Sequence, residues 1–279
     1  NSVVLYPHDN LEINTVYNHI ISKIYRGDLD SFKIFLSGEF KWFYLDKVLY
    51  PINLFHIILT LSDKIMLIDL PSLLCLTSDN VEISHSQQVL GFCEAGVEFI
   101  QFRSKKLSDQ NFLYEAKRSV EICKHYDVKI IINDAVQVAK EVDADGVHLG
   151  VEDMSVLQAR EILSETKIIG ATIHYDHEIN DSVMAYADYI GMGPFRKSNT
   201  KTDLTPVLKE FEYRSMIKQV EPKPVFLIGG IELEDFSLNS KLGNHGIAVC
   251  SNLFNGIALD PIKINQFVEK SRSKSLMKI

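Results

Sequence analysis

The sequence predicts an α/β protein whose larger part is a (β/α)8 barrel, preceded by an N-terminal extension. Three observations carry this. From Ser72 onward, eight short apolar runs alternate with stretches of helical period. The runs are mostly apolar and do not alternate, as in parallel strands buried on both faces. The first βα unit lacks the GxGxxG turn of a dinucleotide-binding open sheet, which leaves the doubly wound sheet as runner-up.

Composition bounds the rest. Of 279 residues, 46% are hydrophobic and 24% charged, which excludes a disordered, collagen-like or coiled-coil chain. The net charge is −8, and no Lys/Arg block occurs. That argues against nucleic-acid or anionic-membrane partners. An anionic substrate would need a local basic cluster. Cys75, Cys93, Cys123 and Cys250 form no CxxC pair, so buried thiols in a reducing compartment are expected. The longest apolar stretch, Tyr50–Leu61, is 12 residues, too short to span a bilayer. No signal-peptide pattern opens the chain, and a cytoplasmic protein is expected. The sequence begins at Asn1 without Met, which suggests trimming or a fragment.

Residues 1–71 hold 11 of the 27 aromatics but only 2 of the 14 glycines. Leu11–Tyr25 reads as an amphipathic helix; Phe40–Leu45 and Lys64–Ile68 read as short strands. No motif appears there. So many aromatics predict a segment that folds and buries them on the barrel's outside or bottom, or on a second subunit of a homo-oligomer.

The eight strands are expected at Leu73–Thr77, Glu98–Arg103, Lys129–Asn133, Gly146–Leu149, Lys167–Ala171, Asp188–Gly193, Pro224–Ile228 and Gly246–Cys250. Helices are expected at Gln110–His125, Ala135–Val142, Val156–Leu163 and Val207–Val220, with Ser108 and Ser155 as caps. Barrel chemistry sits at the C-terminal strand ends. Strand 2 ends in Gln101, Arg103 and Lys105, which alternation points one way: an anion site or a solvated basic end. Asn133 and Asp134 end strand 3, and His148 to Asp153 end strand 4. Asp134 and Asp153 suit Mg²⁺ held against phosphate oxygens, with helix capping as the alternative reading. His148 reads as an oriented interior imidazole rather than a zinc ligand. Thr172 can donate a hydrogen bond into the mouth. His174 reads as an acid/base group or a surface histidine. Gly191, Gly193 and Pro194 lead into a loop with Ser198, Thr200 and Lys201. Gly229 and Gly230 after strand 7, and Ser251 after strand 8, offer amides for a phosphate.

These runs, QFRSK at 101–105, IIND at 131–134, ADGVHLGVED at 144–153, ADYIGMGPF at 187–195, SNTK at 198–201 and IGGI at 228–231, resemble the thiamine-phosphate synthase family over about residues 72–260. The resemblance implies transfer of 4-amino-2-methyl-5-(hydroxymethyl)pyrimidine from its diphosphate to a thiazole phosphate, releasing pyrophosphate. It implies Gln101, Arg103, Lys105 and Asn133 on the pyrimidine diphosphate and Asp134 and Asp153 on Mg²⁺. Thr172 stands where the family usually has Ser. Ser198, Thr200, Lys201, Gly229, Gly230 and Ser251 fall on the thiazole phosphate. Arg103, Lys105, Thr172 and Lys201 are cast as the groups acting on the reacting atoms. Ser104 departs from a common Glu, Ser198 from the usual Thr, and Pro206–Tyr213 lacks a frequent Gly. The alternatives are a thiazole tautomerase using His174 and a non-catalytic phosphate-binding barrel.

Overall fold

The computed structural model describes residues 3–4, 33–37, 40–45, 48–51, 70–196 and 208–275. The chain divides into two compact units, Asn1–Asp69 and Leu70–Ile279. The boundary lies two residues ahead of the one drawn from composition. Leu70 is buried, and its carbonyl accepts from His245 Nε2 at 2.7 Å, so it belongs to the second unit.

The first unit contains a four-stranded sheet of β1 (Val3–Val4), β2 (Lys33–Ser37), β3 (Phe40–Leu45) and β4 (Val48–Pro51), in the order β1-β4-β3-β2. The β2–β3 and β3–β4 pairs are antiparallel, and β1 joins β4 in parallel. Leu11–Tyr25 and Lys64–Ile68 lie outside the described residues.

The second unit closes eight parallel strands into a barrel, which displaces the open-sheet alternative. They are β5 (Leu73–Leu76), β6 (Phe99–Phe102), β7 (Lys129–Asn133), β8 (Gly146–Leu149), β9 (Ile168–Ile173), β10 (Tyr189–Met192), β11 (Val225–Ile228) and β12 (Gly246–Val249). Bounds shift from the expected ones by a residue or two, most at β9, which runs on through Thr172.

Between the strands lie α1 (His85–Glu94), α2 (Asp109–Tyr126), α3 (Val136–Glu141), α4 (Val156–Ile162), α5 (Asp181–Tyr186), α6 (Glu210–Val220) and α7 (Leu238–Leu242); α8 (Pro261–Ser275) follows. Ser84, Ser108 and Ser155 each accept an amide of the first helical turn, satisfying donors the helix cannot. The cap of α3 is Ala135, without a side-chain bond. The capping role considered for Asp134 and Asp153 therefore falls to Ala135 and Ser155.

Two cores result. Helix residues such as Phe92, Val120, Met216 and Phe267 pack on outward strand residues. Inside the barrel, Phe99 of β6 meets Tyr189 of β10 and Phe226 of β11 at centroid separations of 6.0 and 6.1 Å. β6 is not adjacent to β10 or β11, so these contacts cross the interior and plug it. On the underside, buried Arg160 pairs with Asp188 at 2.6 Å and also donates to the Lys167 carbonyl. The four cysteines are free thiols; Cys75, Cys93 and Cys123 are buried and Cys250 is half-buried.

Candidate active site

The C-terminal ends of β6, β7 and β8 gather the charged residues. Gln101 is buried on β6, Arg103 half-buried just beyond it, and Lys105 exposed at the rim. Lys105 Nζ forms an ion pair with Asp134 Oδ2. The Asp134 and Asp153 carboxyls meet at hydrogen-bonding range. Burial, and then this neighbour, push the Asp134 carboxyl above its ordinary value, while Lys105 pulls it down. Asp134 sits at φ 62°, and Asp153 Oδ2 accepts the Gly150 amide at 2.7 Å. Asn133 is buried beside them, its backbone in register with His148.

Two carboxylates side by side repel when both are ionised, and a divalent cation relieves that repulsion. Among the described residues no group of three or more His, Cys, Asp or Glu could hold a metal. A carboxylate pair is nonetheless the donor set for a hard cation that completes its shell with phosphate oxygens and water.

The segment carrying Arg103 and Lys105 is held from the end of β5. Thr77 Oγ1 accepts from the Arg103 amide at 2.8 Å and donates to its carbonyl at 2.9 Å. Asp79 accepts the Lys105 amide at 2.7 Å and also the Ser104 hydroxyl. His85 Nε2 lies 3.2 Å from the same carboxylate. Sequence reading missed Thr77 and Asp79; a hydroxyl ending the first apolar run and a carboxylate just past it were the available signal.

Thr172 stands on β9, half-buried, its hydroxyl 2.8 Å from His148 Nε2. His148 is buried and interior, as read, with Nδ1 2.7 Å from Tyr189 Oη. His174 turns to Glu178, which accepts its amide at 2.5 Å and lies 3.5 Å from its Nδ1.

Across the mouth the candidate phosphate-binding groups are main-chain. Gly229 has φ 95°, and a Cβ there would stand 2.8 Å from Pro194 Cα, so glycine is required. Arg196 pins this turn: its amide donates to Gly229 O at 3.0 Å and its Nη1 to Gly230 O at 3.0 Å. Its guanidinium also grips buried Asp235 with two bonds, Nη2 to Oδ1 at 2.8 Å. Ser251 is exposed and opens the turn Ser251–Leu253, where Asn252 Nδ2 donates to Ile231 O at 2.6 Å. Sequence reading missed Arg196 and Asp235. Ser198, Thr200 and Lys201 lie outside the described residues.

A family profile described as thiamine monophosphate synthase matches residues 73–253, the stretch that builds this barrel and its mouth. The chain belongs to that family. A protein named thiamine-phosphate synthase from Flavobacterium psychrophilum is 41% identical over 160 residues, covering 56% of this chain and 78% of its own. Another from Bacteroides fragilis is 35% identical over 196 residues, covering 69% and 95%. Among solved structures, a thiamine phosphate pyrophosphorylase from Pyrococcus furiosus superposes with TM-score 0.63 at 27% identity, covering 73% of this chain and 96% of that one. The matched stretch contains every expected site residue from Gln101 to Ser251.

Proposed function

We propose that the barrel joins the pyrimidine diphosphate to thiazole phosphate by a dissociative displacement, with Mg²⁺ at Asp134 and Asp153. The transferase activity of thiamine biosynthesis comes with the family. The observation supporting this route is the meeting of Lys105, Asp134 and Asp153 at one side of the mouth, with Arg103 just past the adjoining β6 and the Gly229–Gly230 and Ser251 turns at the ends of β11 and β12.

The reacting C–O bond places negative charge on departing pyrophosphate. Arg103 and Lys105 stabilise that charge, which favours fixed cations over a nucleophilic side chain. Mg²⁺, when held by Asp134 and Asp153, neutralises phosphate oxygens as a Lewis acid. The pyrimidine methylene cation left behind is captured by the thiazole nitrogen. Gln101 and Asn133 orient the pyrimidine diphosphate, and Thr172 donates to it from β9. Gly229, Gly230 and Ser251, with Ser198, Thr200 and Lys201, hold the phosphate of the thiazole partner, which does not change in the reaction.

No helix among the described residues is long and apolar enough to cross a membrane. We place the protein in the cytoplasm, where both small-molecule substrates would be met, without nucleic-acid or membrane partners.

The test is incubation with both substrates and Mg²⁺. Thiamine phosphate and pyrophosphate should appear in equal amounts. Isomerised thiazole alone, or binding without turnover, would overturn the reading.

A further inference from the structure

Behind Thr172 lies a chain of polar groups inside the barrel. Tyr189 Oη is 2.7 Å from His148 Nδ1, and His148 Nε2 is 2.8 Å from Thr172 Oγ1. Tyr189 is fully buried, between Phe99 and Phe226, with the imidazole stacked on its ring at 5.4 Å. Neighbouring strands make room for both rings. A Cβ on Gly170 would come within 2.4 Å of Tyr189 Oη, and one on Gly191 within 2.9 Å of His148 Cε1. The network is thus built into the interior, not a chance contact of surface groups.

Hydrogen-bond accounting gives the chain a direction. Burial holds the phenol well above its ordinary pKa, so it keeps its one proton. The Gln101 amide opposes that push by donating toward the phenol oxygen. A buried hydroxyl that donates to nothing costs about 1–3 kcal/mol. Its available acceptor is His148 Nδ1, which must then be bare. A neutral imidazole carries its proton on the other nitrogen, so Nε2–H donates to Thr172 Oγ1. With that acceptor position filled, the threonine's own proton is left to point into the mouth.

We infer that Tyr189 and His148 are positioning residues: the phenol fixes the imidazole as the Nε2–H tautomer, and the imidazole makes the Thr172 hydroxyl a donor facing the substrate. The inference rests on the reading that Thr172 touches the pyrimidine diphosphate. The reverse direction would use the threonine proton inside the barrel and turn only lone pairs toward a ligand that is an anion. A donor there has a use as pyrophosphate charge develops; an acceptor would oppose it.

The test uses the full chain with ¹⁵N-labelled histidine. Imidazole ¹⁵N–¹H correlations, with His148 assigned by comparison with His148→Gln, should show a protonated Nε2 and a bare Nδ1 at neutral pH. In Tyr189→Phe that preference should be lost. The same variant should lower kcat about tenfold, as expected for one disoriented hydrogen bond, and change the KM for thiazole phosphate less than about twofold. Combining Tyr189→Phe with Thr172→Ala should cost less than the product of the single losses, because both act through one hydroxyl. An Nδ1–H tautomer, a doubly protonated ring at neutral pH, or an unchanged kcat in Tyr189→Phe would overturn the inference. If Tyr189→Phe did not fold, the wild-type tautomer would still decide the direction. If no thiamine phosphate formed, the functional reading would fall, while the tautomer would still judge the interior network.

Discussion

The two sides of the barrel mouth are built differently. On β6 to β8 the groups are charged side chains: Arg103, Lys105, Asp134 and Asp153. On β11 and β12 the proposed phosphate-binding groups are main-chain turns, braced by Arg196 and Asp235. In the proposed reaction the first side meets a leaving group whose charge grows as its bond breaks, and formal charge answers that. The second side meets a phosphate that stays the same throughout. Fixed amides suit such a group, because nothing there needs to respond during the reaction.

The largest expected effect tests the charged side. Asp134→Asn should leave the barrel folded and lower turnover by roughly 10²–10⁴-fold, the range for one electrostatic stabiliser. EDTA should abolish wild-type turnover. Near-normal rates in EDTA would remove the metal from the comparison.

Next comes the separation of the sides. Gly229→Val meets both a positive φ and the Pro194 backbone. It should raise the Kd for thiazole phosphate at least about tenfold while sparing the pyrimidine diphosphate. Arg103→Ala should do the opposite. Calorimetry in which each variant weakened both ligands equally would mean one merged site.

The brace should give a smaller effect. Arg196→Ala removes charge-assisted bonds to buried Asp235. A loss of about 1.5–3 kcal/mol in stability is expected, seen as a Tm lowered by several degrees, with only the thiazole side of binding altered. An unchanged Tm would show that the turn holds its shape unaided.

The smallest effect is a control far from the mouth. Half-buried Lys223 donates to Ala187 O at 2.6 Å, and burial lowers its pKa from 10.5 to about 8. Between those values the unfolded chain binds more protons than the folded one. Stability from this group should therefore rise as pH climbs from about 8 to about 10.5. Lys223→Met should flatten that slope and leave both substrates' Kd unchanged. Equal slopes in the two proteins would mean that the amine is solvated after all.

Barrel and rim were legible because they are written locally. A strand buried on both faces is mostly apolar, so the runs at Lys129–Asn133 and Gly146–Leu149 announce their strands. Rim residues lie at the end of each run or directly after it, which is why Gln101, Asp134 and Gly229 could be named from strand ends. The helix starts at Ser108 and Ser155 were legible for a similar reason, since a cap serves amides two or three residues away. β9 was drawn short because Thr172 interrupts its apolar run, although the ladder continues to Ile173.

By itself, then, the sequence determined the strand count, the family and several of the residues at the strand ends, since each depends on neighbours along the chain. Tertiary structure alone decided which of those residues meet. Tyr189 lies 41 positions from His148, and Asp235 lies 39 from Arg196. No local pattern encodes such distances; they arise from how eight strands are staggered around the closed barrel. Direct pairing of β7 with β8 sets Asp153 against Asp134, turning two carboxyls from separate loops into one electrostatic unit. Closure also places a phenol, an imidazole and a threonine hydroxyl in line, because strands that close on themselves must share one interior.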